Sequence, residues 1–241
     1  MRTGLHAAAL LLTLGTSVAS ASETALRPFT ATYSITWHGM AAGNSSLKLE
    51  KLPEGRWAYS SQSSAKGVFR LAMPAELASR SVFRISEGRI LPEMFTADDG
   101  ASSNEKDQRI IFDWAAGRVT GIAERRQVDL ATRPGLLDTL SVQVALMHEM
   151  LSGRKPERFV LVDKDKIKSY NYTVEGEETV RSAIGEYRTV IFRSARPDSK
   201  NGTFFWCAPD LGYLPLKVER RDGKEVQWSM ALKRADMEAR P

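Results

Sequence analysis

The sequence predicts a mostly-β protein: an antiparallel meander curled into a full or half-open barrel, with one covering helix near residues 138–152. Three observations lead to this fold class. Strand-like runs recur along the chain, Gly-containing turn pairs separate many of them, and one stretch has apolar residues at helical spacing. About ten short strands at such intervals are typical of a sheet that closes, or partly closes, on itself.

Residues 1–21 have the composition of a secretory signal peptide. Arg2 precedes an apolar run over residues 5–18, and the small residues Ala19, Ser20 and Ala21 follow. This order predicts cleavage after Ala21, and the run is too short for a membrane span. No cysteine follows the run, so a lipid anchor is not expected. We predict a periplasmic, soluble product without an integral membrane segment after cleavage.

Residues 22–241 are predicted to form a single domain. Their number is ample for one hydrophobic core and small for two, and no linker, repeat or low-complexity tract divides them. Cys207 is the only cysteine, which excludes an intramolecular disulfide. The net charge of +5 arises from interleaved acidic and basic residues, a pattern that disfavours nucleic acid as a partner. The sequence leaves the oligomeric state open.

The first strand is predicted over residues 29–38, where apolar and polar residues alternate strictly. Gly39 and the Gly43-Asn44 pair are expected to interrupt it, and residues 46–51 are expected to return as its partner. Further strands are predicted over residues 57–64, 81–85, 93–97, 109–114, 119–124, 158–162, 167–174, 187–193, 203–208, 214–219 and 226–232.

The predicted helix follows Pro134-Gly135, with Asp138 well placed as its N-cap, and should end near Gly153. Gln143 falls within the apolar arc, where an amide needs partners from a side-chain network or from a wet or ligand-filled cavity. The apolar spacing is set by Leu140, Val144, Met147 and Leu151. The polar arc is predicted to contain Ser141, Ala145, His148, Glu149 and Ser152.

Five short phrases are distributed in order along most of the chain after residue 21. They are YSITWHGMAAG at 33–43, LPEMF at 91–95, FDW at 112–114, DTLS at 138–141 and WCAPDLGYLPLKVE at 206–219. Together they resemble the DUF3108 family of exported bacterial proteins. The resemblance implies a periplasmic, mostly antiparallel β fold, either a half-open barrel similar to lipoprotein-carrier proteins or a closed lipocalin-like barrel. It implies no catalytic residue, because the family is a domain of unknown function.

Residues that carry enzyme chemistry are scarce after residue 21. His38 and His148 are the only histidines there, and neither an HExxH pattern nor a cysteine cluster supplies a zinc site. The sequence contains no Gly-x-Ser-x-Gly elbow, phosphate-binding loop or dinucleotide glycine pattern. We therefore predict no metal, no cofactor and no catalytic residues, which leans against an enzyme.

Aromatic side chains on predicted strands are the best lead to function. They either fill a barrel core or line a cavity for a lipid tail or a sugar ring. The leading hypothesis is a non-catalytic periplasmic binding or carrier module for a lipid or other envelope component. It predicts a sizeable pocket lined by Trp and Tyr. The predicted ligand-binding residues are Tyr33, Trp37, His38, Trp57, Arg70, Gln143 and Trp206.

Two other hypotheses remain open. An enzyme acting on an envelope or extracellular polysaccharide would have an open polar cleft in which His38, Arg70 or acidic residues converge. A scaffold subunit of an envelope assembly would expose an apolar patch or an unpaired sheet edge.

Overall fold

The computed structural model of the protein describes residues 26–239, so the predicted signal peptide lies outside the described residues. Fifteen strands form one sheet. Two helices interrupt them, α1 (Phe69–Ala72) and α2 (Ser141–Leu151), and within the described range no helix is long and apolar enough to cross a membrane. The strands are β1 (Phe29–Trp37), β2 (Met40–Lys51), β3 (Arg56–Ala65), β4 (Leu77–Ser86), β5 (Arg89–Asp98), β6 (Gln108–Asp113), β7 (Arg118–Ala123), β8 (Arg126–Ala131), β9 (Leu136–Asp138), β10 (Arg158–Asp163), β11 (Lys166–Ser182), β12 (Gly185–Ala195), β13 (Gly202–Ala208), β14 (Leu214–Asp222) and β15 (Glu225–Met237).

The sheet consists of two antiparallel meanders that meet along β1 and β15. Strands β1 to β8 pair in chain order, and so do strands β10 to β15. The first and last strands pair from Phe29 opposite Met237 to Trp37 opposite Trp228, which joins the meanders into one continuous surface. The short strand β9 forms one edge of the sheet by pairing in parallel with β10.

The sheet curls so that its edge strands β8 and β9 approach other strands without closing the ring. β9 lies against β5, and β8 lies near β11. Two ion pairs join the β7–β8 region to the β10–β11 turn: Lys164 Nζ lies 2.7 Å from Glu124 Oε1, and Arg126 lies 3.3 Å from Asp165. This barrel-like, open sheet confirms the predicted fold class in its half-open form. We call the end with the β1–β2 turn the upper end and the opposite end the lower end.

The concave face of the sheet carries the hydrophobic core, and α2 packs into it. The helix contributes Val144, Leu146 and Met147 to the buried side chains. A smaller cluster around Phe95 and Ile110 adjoins the main core, and Leu140 packs against both. The aromatic rings with at most 1% of their surface exposed are those of Tyr33, Tyr59, Phe83 and Phe192.

The helix lies within the predicted range, but its predicted polar arc is wrong. Ser141 and Ala145 are buried, and every residue of α2 is at least partly buried. The reason is tertiary: the helix lies inside the curl of the sheet and is contacted from several sides. His148, which was expected to be solvated, is half-buried, and its Nε2 lies 3.1 Å from the backbone oxygen of Gly88.

Asp138 caps the start of the helix, although α2 itself begins three residues later. Its Oδ1 accepts hydrogen bonds from the backbone amides of Leu140 (2.8 Å) and Ser141 (2.7 Å). In return, the Ser141 hydroxyl accepts from the backbone amide of Asp138 at 3.1 Å. This reciprocal pair has the form of a capping box, so the predicted capping role is realised from the end of β9.

The predicted break at Gly43-Asn44 is wrong, because β2 runs through both residues. The turn between β1 and β2 is the two-residue His38-Gly39, which has positive φ angles of 44° and 80°. Gly43 has a different role: a Cβ at this position would lie 2.3 Å from the backbone oxygen of Ser64 on β3. The glycine permits close approach of two strands and does not make a turn.

Two strands were not predicted from the sequence. β8 follows a turn at Glu124-Arg125 that contains no glycine, although both residues have positive φ. β9 has only three residues, and its parallel pairing with β10 joins chain segments on either side of α2. Neither feature has a local sequence signal.

Candidate functional site

Along the concave face, three strands of the β10–β15 meander change from apolar or aromatic side chains to basic ones. Residues two apart on a strand share a face, so each strand presents a row of side chains to the interior. Each row begins with an apolar or aromatic core residue and ends in a cation at the upper end. The rows are Tyr172, Tyr170 and Lys168 on β11; Phe192, Ser194 and Arg196 along β12 and just beyond it; and Leu216, Val218 and Arg220 on β14.

The strand register relates Trp37 to one of these cations, Arg220. Trp37 pairs with Trp228 on β15, Trp228 pairs with Arg220 on β14, and Arg220 pairs with Thr203 on β13. Directly paired residues point to the same face, and neighbouring strands lie about 4.8 Å apart. Trp37 and Arg220 are therefore two strands apart on the concave face.

A pocket of about 260 Å³ opens among the cations, and we call it the basic pocket. Lys168 Nζ donates to Asp163 Oδ2 over 2.9 Å, and Arg220 donates to Thr203 Oγ1 over 3.3 Å. Between residues 26 and 239, no carboxylate forms an ion pair with Arg196 or Arg220. The lining residues are Lys168, Tyr170, Arg196, Ser199, Asn201 and Arg220.

The protonation states in the basic pocket follow from its contacts. The hydrogen bond to Asp163 raises the pKa of Lys168 above its ordinary value. Burial, and then the charge of Asp163, raises the pKa of Tyr170. Arg196 lines the same pocket as both groups, and its positive charge partly opposes both pKa increases. At neutral pH Lys168 is therefore charged and Tyr170 is protonated.

Exposed apolar side chains also lie at this end of the sheet, beside the β1–β2 turn and on and around α1, and we call them the upper patch. Trp37 and Met40 flank the β1–β2 turn as a cross-strand pair. The backbone amide of Lys66 donates to the Ala42 oxygen over 2.8 Å, which holds the segment before α1 alongside the start of β2. The patch consists of Trp37, Met40, Val68, Leu71 and Met73, which are 44% to 88% exposed.

Other grooves lie on the surface and are more open. One of about 400 Å³ is lined mainly by hydroxyl and amide side chains, including Thr32, Asn44 and Gln62, and the predicted ligand-binding residue Tyr33 also contributes to its lining. A second, of about 490 Å³, lies at the lower end between Phe29, Lys51 and neighbouring residues. Neither is the Trp- and Tyr-lined pocket that the leading hypothesis predicts.

Three of the predicted ligand-binding residues lie at the upper end. Trp37 is in the upper patch, and its ring meets the His38 ring edge-on with centroids 5.1 Å apart. His38 Nδ1 lies 3.4 Å from Glu225 Oε1 across the neighbouring strand. Arg70 is exposed on α1, beside Leu71.

The other four predicted residues lie apart from this end. Tyr33 is buried, and its hydroxyl donates to the Pro215 oxygen over 2.9 Å. Trp57 is buried near the lower end, and Gln143 on α2 has a buried Nε2 without a hydrogen-bond partner. Trp206 lies on the opposite face of the sheet, where it donates to Glu178 over 2.7 Å and stacks under Lys217. The seven residues therefore do not surround one pocket.

The residues of the basic pocket were missed in the sequence. One signal was available for Arg220, which continues the period-two row of Leu216 and Val218 one step beyond the predicted strand. The convergence of Lys168, Arg196 and Arg220 has no sequence signal, because it depends on the pairing of β11 to β14.

Fold and site define a class: a barrel-like protein built on one open, curled sheet, with a helix inside the curl and a basic, apolar-rimmed upper end. The chain belongs to the family described as "Protein of unknown function (DUF3108)", whose model matches residues 32–225. The resemblance read from the five phrases is thereby confirmed. A comparison with curated proteins found no match.

Three solved structures match the chain at low sequence identity. A β-barrel-like DUF1849 protein from Brucella abortus has a TM-score of 0.58 at 13% identity, covering 88% of this chain and 98% of that one. A protein from Bacteroides fragilis, described as exported and with a YmcC-like fold, has a TM-score of 0.39 at 13% identity, with 88% and 96% covered. A protein from Parabacteroides distasonis described as a lipoprotein has a TM-score of 0.36 at 10% identity, with 88% and 96% covered. The first match supports the barrel-like fold and nothing about activity.

Proposed function

We propose that this protein is a non-catalytic binding module of the bacterial envelope that contacts lipid through its upper patch. The observation that carries the proposal is the exposure of five large apolar side chains at one end of the sheet. Leu71 is 88% exposed and Val68 is 72% exposed. Scattered apolar residues are normal on a protein surface, but a contiguous exposed group marks an interaction site.

The chemistry around the patch favours a lipid surface as the occupant. Lys66 and Arg70 are exposed within the same segment as Val68 and Leu71. Basic side chains next to membrane-facing apolar residues are attracted to anionic headgroups, and tryptophan is favoured at the boundary between water and hydrocarbon. Trp37 at the edge of the patch has this position. A turn and a short helix carry these residues, so they project from the sheet end.

In this proposal the lipid contacts an exposed surface and is not enclosed in an apolar cavity. The concave interior is occupied by α2 and by buried aromatic rings such as Tyr33 and Phe192. A lipid that reaches this protein from a membrane would therefore bind at the upper end. Its headgroup and the adjacent part of its acyl chains would contact the upper patch. Periplasmic export by the predicted signal peptide is part of the proposal.

Vesicle binding tests the proposal. The purified protein should co-sediment with vesicles of phosphatidylethanolamine and phosphatidylglycerol, and Leu71→Asp or Met40→Asp should each lower the bound fraction about fivefold or more. Val174→Asp is the matched control, because Val174 is 54% exposed and lies on β11 outside the patch. Absence of wild-type binding, or equal loss in the control, would refute lipid contact. A scaffold subunit would expose a similar patch but would not bind protein-free vesicles.

A further inference from the structure

We propose that the basic pocket binds a phosphoryl group, and that it selects the headgroup of the envelope ligand. The assignment of this phosphoryl group to a lipid rests on the proposed function. The evidence for the pocket itself comes from its lining residues and does not depend on that function. Lys168, Arg196 and Arg220 line one pocket of about 260 Å³ at the upper end of the concave face.

The charge balance of the pocket favours an anion. Three cations line it, and among the described residues Asp163, which pairs with Lys168, is the one carboxylate that forms an ion pair with any of them. Like charges held together repel one another unless an anion binds between them, and a concave wall focuses their field. Arg196 and Arg220 are free to supply this interaction, since their guanidinium groups form no ion pair within residues 26–239.

The donors in the pocket suit a tetrahedral oxyanion. The Asn201 side-chain amide adds a neutral donor to the two guanidinium groups and the ammonium group. The Tyr170 and Ser199 hydroxyls line the pocket but donate to Asp163 Oδ2 and to the Asn201 backbone oxygen, over 3.3 Å and 3.2 Å. Guanidinium groups bind phosphate with paired hydrogen bonds, and charged hydrogen bonds are stronger than neutral ones. A phosphoryl group presents its oxygen acceptors in a tetrahedral arrangement, whereas the two oxygens of a carboxylate lie in one plane.

The loop that contributes Arg196 and Asn201 is held in place before any ligand binds. The Ser199 hydroxyl accepts from the backbone amide of Asn201 over 3.2 Å, and the backbone amide of Ser199 donates to the Arg196 oxygen over 3.1 Å. Arg193 donates to the Ser199 backbone oxygen over 2.8 Å. A preformed loop reduces the entropy cost of ordering the site when a ligand binds.

The size and position of the pocket indicate which part of a ligand it takes. Its volume is below the range of about 300–1,000 Å³ that is usual for whole drug-sized ligands. It can therefore accommodate a headgroup while the rest of an amphipathic molecule lies outside. Trp228 and Trp37, one and two strands from Arg220, provide an apolar path from the pocket to the upper patch.

The test measures free phosphate and lipid separately. Inorganic phosphate is titrated into the purified protein by calorimetry, and vesicles of phosphatidylcholine with phosphatidylglycerol are used in co-sedimentation. Arg196→Gln and Arg220→Gln should each weaken both interactions about tenfold or more, because each removes a charged hydrogen-bond donor. Lys200→Gln is the control: it removes the same charge from the same loop, but Lys200 does not line the pocket. Its effect should be less than about twofold. Circular dichroism and thermal unfolding verify that each variant is folded.

The outcomes separate the pocket from the proposed function. Phosphate binding that depends on Arg196 and Arg220, without vesicle binding, would support the pocket, assign it a free phosphorylated ligand, and overturn the lipid-binding function. Vesicle binding that is unchanged in both variants, together with no phosphate binding, would overturn the pocket and leave the upper patch as the lipid contact. Equal weakening by Lys200→Gln would show only general charge attraction and would also overturn the pocket.

Discussion

Ser81 Oγ donates a hydrogen bond to Asp138 Oδ2 over 2.6 Å, and both side chains are completely buried. Ser81 lies in the middle of β4, an interior strand of the sheet, and Asp138 ends the edge strand β9. The second oxygen of the same carboxylate accepts hydrogen bonds from the backbone amides of Leu140 and Ser141 at the start of α2. One carboxylate therefore ties the first meander to the edge strand and to the helix inside the curl.

Removal of this carboxylate should be strongly destabilising. Asp138→Ala leaves the Ser81 hydroxyl and two backbone amides without their acceptor, and each unsatisfied buried donor costs about 1–3 kcal/mol. We expect a loss of about 3 kcal/mol or more in the free energy of unfolding, measured by urea denaturation. Ser81→Ala, which removes one of the three donors, should cost less. A loss below 1 kcal/mol for Asp138→Ala would contradict this role.

The charge of Asp138 should make stability fall as pH rises. Burial raises the pKa of Asp138 above 3.8, and the hydrogen bonds from Ser81, Ser141 and Leu140 only partly oppose this. The folded protein therefore holds this proton more tightly than the unfolded chain, so the stabilisation is complete below pH 3.8 and is lost as pH rises through the folded pKa. The unfolding free energy of the wild type minus that of Asp138→Asn should decrease across this window. An increase would show that the hydrogen bonds outweigh burial.

Glu219 should have the opposite pH dependence. Burial acts to raise its pKa, but the ion-paired Lys217 and Arg221 outweigh this and lower the pKa below 4.5. Its stabilisation is therefore present above pH 4.5 and is lost as pH falls through the folded pKa. Urea denaturation of Glu219→Gln should show a deficit against the wild type at pH 6 that shrinks on acidification. Glu177→Gln, which breaks an exposed ion pair with Arg188, is the control and should change the unfolding free energy little.

Gly43→Ala should be more destabilising than a normal strand substitution. The added Cβ would lie 2.3 Å from the backbone oxygen of Ser64, so β2 and β3 would have to separate. We expect a loss of about 1–3 kcal/mol, comparable with overpacking, measured by thermal or urea unfolding. The adjacent Asn44→Ala, whose side chain faces an open groove, should change stability by less than about 1 kcal/mol. Equal effects at the two positions would argue against the close approach.

Cys207 should be unreactive in the folded protein. It is completely buried on β13, and burial raises the pKa of its thiol well above the ordinary value. The thiolate is the reactive form, so a thiol reagent such as 5,5′-dithiobis(2-nitrobenzoic acid) should label Cys207 only after denaturation. Rapid labelling of the native protein, or a disulfide-linked dimer under oxidising conditions, would contradict this burial.

Local patterns identified most of the elements and part of the site. The alternation from Phe29 to Trp37 gave the correct inward face of β1, and the apolar spacing around Val144 and Met147 placed the helix. Gly43 was misinterpreted because a glycine that makes a turn and one that allows close strand approach look the same in sequence. The residue type alone does not show on which face or at which end of the sheet Trp57 and Trp206 lie, because both depend on which strands pair.

The sequence by itself determined the β-rich class, the position of the helix and the family, because alternation, helical spacing and local phrases are properties of neighbouring residues. The tertiary structure alone decided that the sheet stays open, that α2 is enclosed on several sides, and that Lys168, Arg196 and Arg220 meet in one pocket. These features depend on which strands pair and in which register, and pairing brings together residues that are far apart in the chain.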